Sequence, residues 1–324
     1  MSEPLLVVRD LTTHYTTHGL FGRRAPVQAL DGVSLEVFEG ETLAVVGESG
    51  SGKSTLARTV LRLEQATSGQ VLFQGQDVLR LERGPLRALR RKMQIVFQDP
   101  SSALNPRMSV GRAIAEGIEI HRLAPPAEIP ARVAELMGEV GLDPGSAGRL
   151  PREFSGGQRQ RVGIARALAV GPTFLVLDEP VSALDVSVQA QVLNMLVELQ
   201  RRRALSYLFI AHDLAVVRQV AHRIAVMYAG RIVETGPTEE LLGHPRHPYT
   251  AALLSAAPEP DPGTRLERTV LPGEPPDPTR PPSGCRFHPR CPHPAKNARC
   301  LTEQPNLRTL GGSQVACHHA TPEG

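Results

Sequence analysis

A short, largely apolar run, Thr42–Val46, leads directly into Gly47-Glu48-Ser49-Gly50-Ser51-Gly52-Lys53-Ser54, and helical spacing follows from Thr55 to Leu63. No other feature of the chain restricts its fold as tightly. Gly-x4-Gly-Lys-Ser between a strand and a helix is the phosphate-loop pattern in the setting that the pattern requires. Glycines let successive backbone N–H groups turn toward phosphate oxygens, and the start of the helix adds its positive end. Lys53 is then expected to reach the outer phosphates and Ser54 to ligate Mg²⁺, with Gly47 through Thr55 lining a nucleotide. A glycine- and serine-rich turn with no ligand is the plain alternative, and the agreement of strand, loop and helix disfavours it.

The rest of the pattern alternates strands with helices. Residues 5–9, 33–38, Gln94 to Gln98, Thr173 to Leu177 and Tyr207 to Ala211 read as strands. Ser109 to Ile120, opened by a serine suited to an N-cap, Gln158 to Val170 and Val188 to Arg202 read as helices, and Pro125, Pro126 and Pro130 separate two helical segments. This order predicts an α/β fold on a largely parallel sheet covered on both faces.

Phe174-Leu175-Val176-Leu177-Asp178-Glu179 is an apolar strand ending in two carboxylates, where a parallel sheet exposes its ligand-binding edge. Asp178 is expected to hold Mg²⁺ directly or through water. Glu179 is expected to polarise the attacking water, because in-line phosphoryl transfer needs a positioned nucleophile. Solvated carboxylates at a strand end are the bland reading, which a phosphate loop on the same chain makes less attractive.

At 324 residues the chain exceeds one ordinary core, which predicts a domain of roughly 250 residues and a smaller appendage. The boundary falls near residue 243: 16 of the 29 prolines lie from there to the C-terminus, and no long amphipathic period survives. No internal repeat occurs, so residues 4–242 read as one domain and 243–324 as a loop-rich extension. A net charge of +3 does not mark a nucleic-acid surface, and Arg90-Arg91-Lys92 and Arg201-Arg202-Arg203 read as solvated helix faces. There is no run of 18 apolar residues and no signal-peptide pattern at Met1-Ser2-Glu3-Pro4, so the expected location is cytosolic.

Between the two sites lies Phe154-Ser155-Gly156-Gly157-Gln158, followed by a helix, and it resembles the signature motif of the ATP-binding cassette (ABC) family. Ser155 and the N–H groups of Gly156 and Gly157 at a helix start make a second anion site, which a compact domain cannot fold back onto its own phosphate loop. The resemblance implies a head-to-tail dimer that sandwiches ATP between one subunit's phosphate loop and the other's Ser155 to Gln158. Other matches follow in family order. Gln98 stands as the Q-loop glutamine and a Mg²⁺ contact, Ser182-Ala183-Leu184-Asp185 as the D-loop, His212 as the switch histidine and Tyr15 as the aromatic on adenine. Phe21 competes with Tyr15, and 16–26 reads as an insertion.

The fold implied is an ABC-type P-loop NTPase domain with a mixed, mostly parallel sheet, an antiparallel β subdomain and a helical signature subdomain. Gln98-Asp99-Pro100-Ser101-Ser102-Ala103-Leu104-Asn105-Pro106 and His247-Pro248-Tyr249-Thr250-Ala251-Ala252-Leu253-Leu254 resemble the oligopeptide/dipeptide importer branch, which also includes nickel importers. That resemblance covers residues about 4 to 320. It implies a catalytic subunit, identical or paralogous to its dimer partner, on the cytoplasmic face of the bacterial inner membrane. Two permeases and an external substrate-binding protein complete the system. The loop after Gln98 and the helices from Ser109 to about Glu139 are expected to grip the permeases' coupling helices. A soluble cassette acting on nucleic acid or ribosomes would call for two cassettes or a long coiled coil, and a non-catalytic cassette would call for a damaged site. Neither is present.

Cys285-x5-Cys291-x8-Cys300-x16-Cys317 gathers every cysteine into the proline-rich tail, with His288, His293, His318 and His319 interleaved. In a reducing compartment such a group reads as metal or cluster ligands before disulfides, and bound metal would supply folding energy that the tail lacks. The branch resemblance implies a [4Fe–4S] cluster. Zinc is the rival, although the closely paired cysteines of most zinc sites are absent, and unligated or disulfide-paired thiols remain open.

Overall fold

The computed structural model describes residues 3–16, 18–19, 22–23, 25–256 and 271–322. Phe21 and part of the expected insertion lie outside the described residues. The chain forms two compact units: Met1–Val37, Thr42–Arg80 and Ala211–Gly324 make the first, and Phe38–Glu41 with Leu81–Ile210 make the second.

The first unit holds an antiparallel sheet in the order Val27–Val37, Leu6–Tyr15, Ser68–Phe73, Gln76–Asp77. The expected strand at 5–9 runs on to Tyr15 through register shifts that re-aim its outer half. The unit also holds Thr42–Val46, buried along its whole length and parallel to Arg223–Tyr228. A fully apolar strand is stable only when both of its faces are covered, which suits the position before a ligand loop. Arg231–Pro237 pairs antiparallel with Arg223–Tyr228, and Ser313–Val315 and then Arg308–Leu310 continue beyond it.

The described residues from 243 onward carry short elements among their loops. They include the helix Pro248–Ala256 and the two short strands, and they pack within the unit that carries the phosphate loop. Three-residue strands are too short to leave a period in the sequence. Buried Glu234, on Arg231–Pro237, ties this region down by accepting N–H bonds from Arg246 and His247, each at 2.9 Å. Burial pushes its carboxyl above the usual range.

In the second unit Ser206–Ala211, Phe174–Asp178 and Met93–Val96 lie parallel in that order. Its helices include Val110–Ile120, Ile129–Glu139, Gly156–Leu168 and Val186–Arg203. The expected Ser109 cap is present, its hydroxyl accepting from Arg112 N–H. In the second basic cluster Arg201 and Arg202 reach Glu198 and Arg203 reaches Glu139, and in the first Arg91 Nε donates to Val170 O. Among the described residues no helix is long and apolar enough to cross a membrane.

Candidate functional site

The phosphate loop stands at the carboxyl end of Thr42–Val46, and its helix, Lys53–Val60, begins two residues before the expected start because Gly52 caps it in a left-handed conformation. Two glycines are required by their surroundings. A Cβ on Gly47 would lie 2.1 Å from Met227 O, and one on Gly52 would lie 2.4 Å from Ala29 O at φ +107°. The helix has no side-chain cap bond and no acidic residue in its first turn, so nothing of that kind competes for an anion there. Lys53, 5% exposed, folds back to donate to Gly47 O at 2.7 Å and Glu48 O at 2.9 Å. A cation resting on carbonyls of its own loop is stored where phosphate oxygens can replace them. Ser54 and Thr55 follow in the first turn.

In the second unit Asp178 is the last residue of its strand and only 2% exposed. Glu179 follows with φ +47°, a left-handed backbone that costs a non-glycine residue about 1 kcal/mol or more. That conformation is held by Glu179 N–H donating to Ile210 O at 3.1 Å, and by the Ser182 hydroxyl and N–H, both donating to Glu179 O. The turn sends the Glu179 carboxylate to Gln98, whose Nε2 donates to Oε2 at 2.8 Å. Gln98 lies two residues beyond Met93–Val96 rather than at the strand's end as expected. Within this unit the oxygens of Asp178 and Gln98 are of the kind that suits Mg²⁺, which needs few protein ligands because it keeps waters and phosphate oxygens.

Ser155 caps Gly156–Leu168 through a reciprocal box: its hydroxyl accepts from Gln158 N–H, and Gln158 Oε1 accepts from Ser155 N–H at 2.8 Å. Ser155 and Gln158 are exposed. Gly157 is buried for a steric reason, since a Cβ there would lie 2.4 Å from Val188 Cγ1. Asp185 of the expected D-loop caps Val186–Arg203, accepting from Val188 N–H at 3.0 Å and the Ser187 hydroxyl at 2.7 Å. The Ser187 hydroxyl and then the Val188 N–H hold its carboxyl below the usual range.

His212 is exposed and directly follows Ser206–Ala211, while Asp213 caps the helix Leu214–Val220. Tyr15, partly buried, ends Leu6–Tyr15 opposite Val27. Sequence reading singled out neither Arg290 nor the side chain of Tyr249 as part of the site. Arg290 pairs with the Glu48 carboxylate and the Tyr249 hydroxyl accepts from Glu48 N–H. Tyr249 stands inside the segment that marks the branch. Arg290 has no signal beyond its place between two cysteines.

All four cysteines are free thiols. Cys285 N–H donates to Cys300 O at 2.9 Å. Burial pushes the Cys285 thiol up to about 11, helped by Cys317, Cys291 and Cys300, and burial raises Cys291 and Cys317 as well. The four therefore share one neighbourhood. As placed, however, no three His, Cys, Asp or Glu side chains among the described residues are grouped to hold a metal ion, so the expected ligand set is not preformed.

Comparison with known proteins agrees with both ends of the chain. The profile of the family described as "ABC transporter" matches residues 30–182, and that described as "Oligopeptide/dipeptide transporter, C-terminal region" matches 233–300. The chain is 51% identical to a probable peptide ABC transporter ATP-binding protein of Sinorhizobium fredii, over 99% of this chain and 92% of that protein. It is 50% identical to the di/tripeptide transport ATP-binding protein DppF of Pseudomonas aeruginosa, over 98% of each. A solved dimeric ATP-binding cassette in a post-hydrolysis state, bound to ADP and Pi, superposes with a TM-score of 0.64 at 29% identity, covering 72% of this chain and 98% of that one.

Proposed function

The chain belongs to the ATP-binding cassette family, in its oligopeptide/dipeptide transporter branch, and on that premise we propose how its residues divide the work of the ATP hydrolysis that drives peptide import. It is the ATP-hydrolysing subunit of a peptide importer. Lys53 and the loop N–H groups from Gly47 to Thr55 bind the phosphates, and Tyr15 stacks on the adenine. Ser54, Asp178 and Gln98 would hold Mg²⁺, which would supply charge neutralisation on the phosphates. Glu179 orients and polarises the attacking water, and His212 completes the site.

The observation that carries this assignment is the Gln98–Glu179 hydrogen bond at 2.8 Å, formed by a carboxylate that a left-handed turn aims away from its own strand. It supplies a base already aligned, and it gives Gln98 a way to transmit the state of the γ-phosphate to the loop that follows. Ser155 to Gln158 act in trans on a second, identical or paralogous, subunit, and the helices Val110–Ile120 and Ile129–Glu139 meet the permeases. Residues 4–242 then form the catalytic domain and 243–324 the branch-specific extension. The chain works on the cytoplasmic side of the membrane with two permeases and an external binding protein.

Reconstitution with the permeases in vesicles tests the reading. Labelled di- or oligopeptide is expected to accumulate only with ATP and the binding protein. Transport of nickel, or of another small solute, without peptide transport would replace peptide as the cargo.

The same reading gives Cys285, Cys291, Cys300 and Cys317 a soft metal centre, a [4Fe–4S] cluster, with zinc as the alternative, since four thiolates suit either. Their common neighbourhood supports it. Iron and sulfide assayed in anaerobically purified protein are expected at four each per chain for such a cluster, and a colourless zinc-loaded sample would rule it out.

A further inference from the structure

Glu48, the second residue of the phosphate loop, is gripped at every polar group it owns. Its carbonyl accepts from Lys53 Nζ at 2.9 Å. Its N–H donates to Tyr249 Oη at 2.8 Å. Its carboxylate receives Arg290 in a two-pronged pair, Nη1 to Oε2 at 2.7 Å and Nη2 to Oε1 at 3.3 Å. The last two partners stand 201 and 242 residues away, within the stretch 233–300 that the oligopeptide/dipeptide transporter C-terminal profile matches.

Neither partner is a loose surface group. Tyr249 is fully buried and packs against Tyr228 at 4.6 Å and Phe287 at 5.4 Å between ring centres. Phe287 also meets Tyr228 at 5.1 Å and His247 at 5.5 Å. The Arg290 side chain is 9% exposed, and its Nε donates to Pro272 O at 3.3 Å. A two-pronged pair with one desolvated partner holds direction as well as distance, unlike an exposed pair of long side chains. The aromatic cluster fixes Tyr249, the Pro272 carbonyl helps to fix Arg290, the two together hold Glu48, and Glu48 holds the carbonyl on which Lys53 rests.

We propose that Tyr249 and Arg290 are positioning residues for the phosphate site, through which the C-terminal extension sets the nucleotide affinity of the loop. The proposal rests on the phosphate-loop reading above. It gives the His247-Pro248-Tyr249 segment a task inside this chain: to hold Glu48, so that the N–H groups after it and the Lys53 ammonium face the phosphates without reorganisation.

The test is nucleotide affinity of the full chain, titrated with a fluorescent ATP analogue, together with KM and kcat for ATP. Arg290→Ala is expected to weaken affinity about tenfold and Tyr249→Phe about threefold, as loss of charged and neutral hydrogen bonds respectively. The change should appear in KM, with kcat at saturating ATP nearly unchanged. Arg290→Lys should recover most of the loss. In a Glu48→Gln background, Arg290→Ala should add less than it costs alone, because the charge that pairs with Arg290 is already gone.

Wild-type affinity in both Arg290→Ala and Tyr249→Phe would overturn the proposal, and so would fully additive losses with Glu48→Gln. If Arg290→Ala fails to fold, Tyr249→Phe carries the test, since it keeps the ring packing and removes only the oxygen. Lys53→Ala serves as the control. Undiminished binding in that variant would count against the phosphate-loop reading itself rather than against the clamp.

Discussion

Gln98 and Glu179, 81 residues apart, meet through a single hydrogen bond of 2.8 Å from the glutamine Nε2 to the carboxylate Oε2. An amide at position 179 can still accept that bond, so Glu179→Gln preserves the placement of both side chains while removing the base. ATP binding is expected to remain, with turnover falling by roughly 10²- to 10⁴-fold, the usual span for loss of a general base. Steady-state phosphate release measured beside nucleotide affinity checks this. Turnover at the wild-type rate would remove Glu179 from its role.

Gly157 gives a prediction of sign. Glycine to alanine in a helix normally stabilises by up to about 1 kcal/mol. Here the added Cβ would fall 2.4 Å from Val188 Cγ1, on a β-branched side chain with little rotamer freedom. Gly157→Ala is therefore expected to destabilise by about 1–3 kcal/mol, the usual cost of overpacking. Val188→Ala in the same chain should return part of it. Urea unfolding of the single and double variants decides, and a stabilised Gly157→Ala protein would refute the steric argument.

The parts of this fold that the sequence reveals are those set by neighbours a few residues away. The phosphate loop, the cap at Ser109 and the apolar strand before Asp178 each depend on chemistry within about four positions. The chemistry that joins the extension to the site is not local. Glu234 holding the N–H groups of Arg246 and His247, or Arg290 reaching Glu48, leaves no periodic trace. The described residues after Gly243 are rich in loops, as their proline content implies, and they are held by buried polar bonds, aromatic packing and two strands too short to recognise.

A second charge cluster in this unit should prove costly to open. Asp31 Oδ2 accepts from Arg231 Nε at 3.0 Å and Nη2 at 2.7 Å, and also from Arg286 Nη2. The Arg286 side chain is 8% exposed and also donates to Gln28 Oε1 at 2.9 Å, whereas Arg231 is 32% exposed. Asp31→Ala would leave two guanidinium groups facing each other, one of them buried, and is expected to cost about 2–4 kcal/mol. Arg231→Ala, which removes the more exposed partner, should cost about 1 kcal/mol or less. Equal losses in chemical denaturation would mean that burial of Arg286 does not set the energy.

His247 should make the chain acid-sensitive. Its ring is fully buried against Phe287, its Nδ1 accepts from Tyr249 N–H at 3.0 Å, and burial pushes its pKa down to about 3. In the unfolded chain the ring titrates near 6.5. The unfolded state thus takes up a proton below that value and the folded state does not. Stability from this residue is complete above pH 6.5 and declines as pH falls toward 3, by about 1.4 kcal/mol per unit within the window. Glu234, whose carboxyl burial raises, acts in the opposite direction as pH rises through its own range. Comparing wild type with His247→Asn cancels that contribution to first order, because Asn offers an oxygen in place of Nδ1 but does not titrate. Thermal unfolding from pH 7.5 to 5.5 is expected to show a steeper acid-side fall in wild type than in His247→Asn. Parallel curves would mean that the ring is protonated in the folded protein.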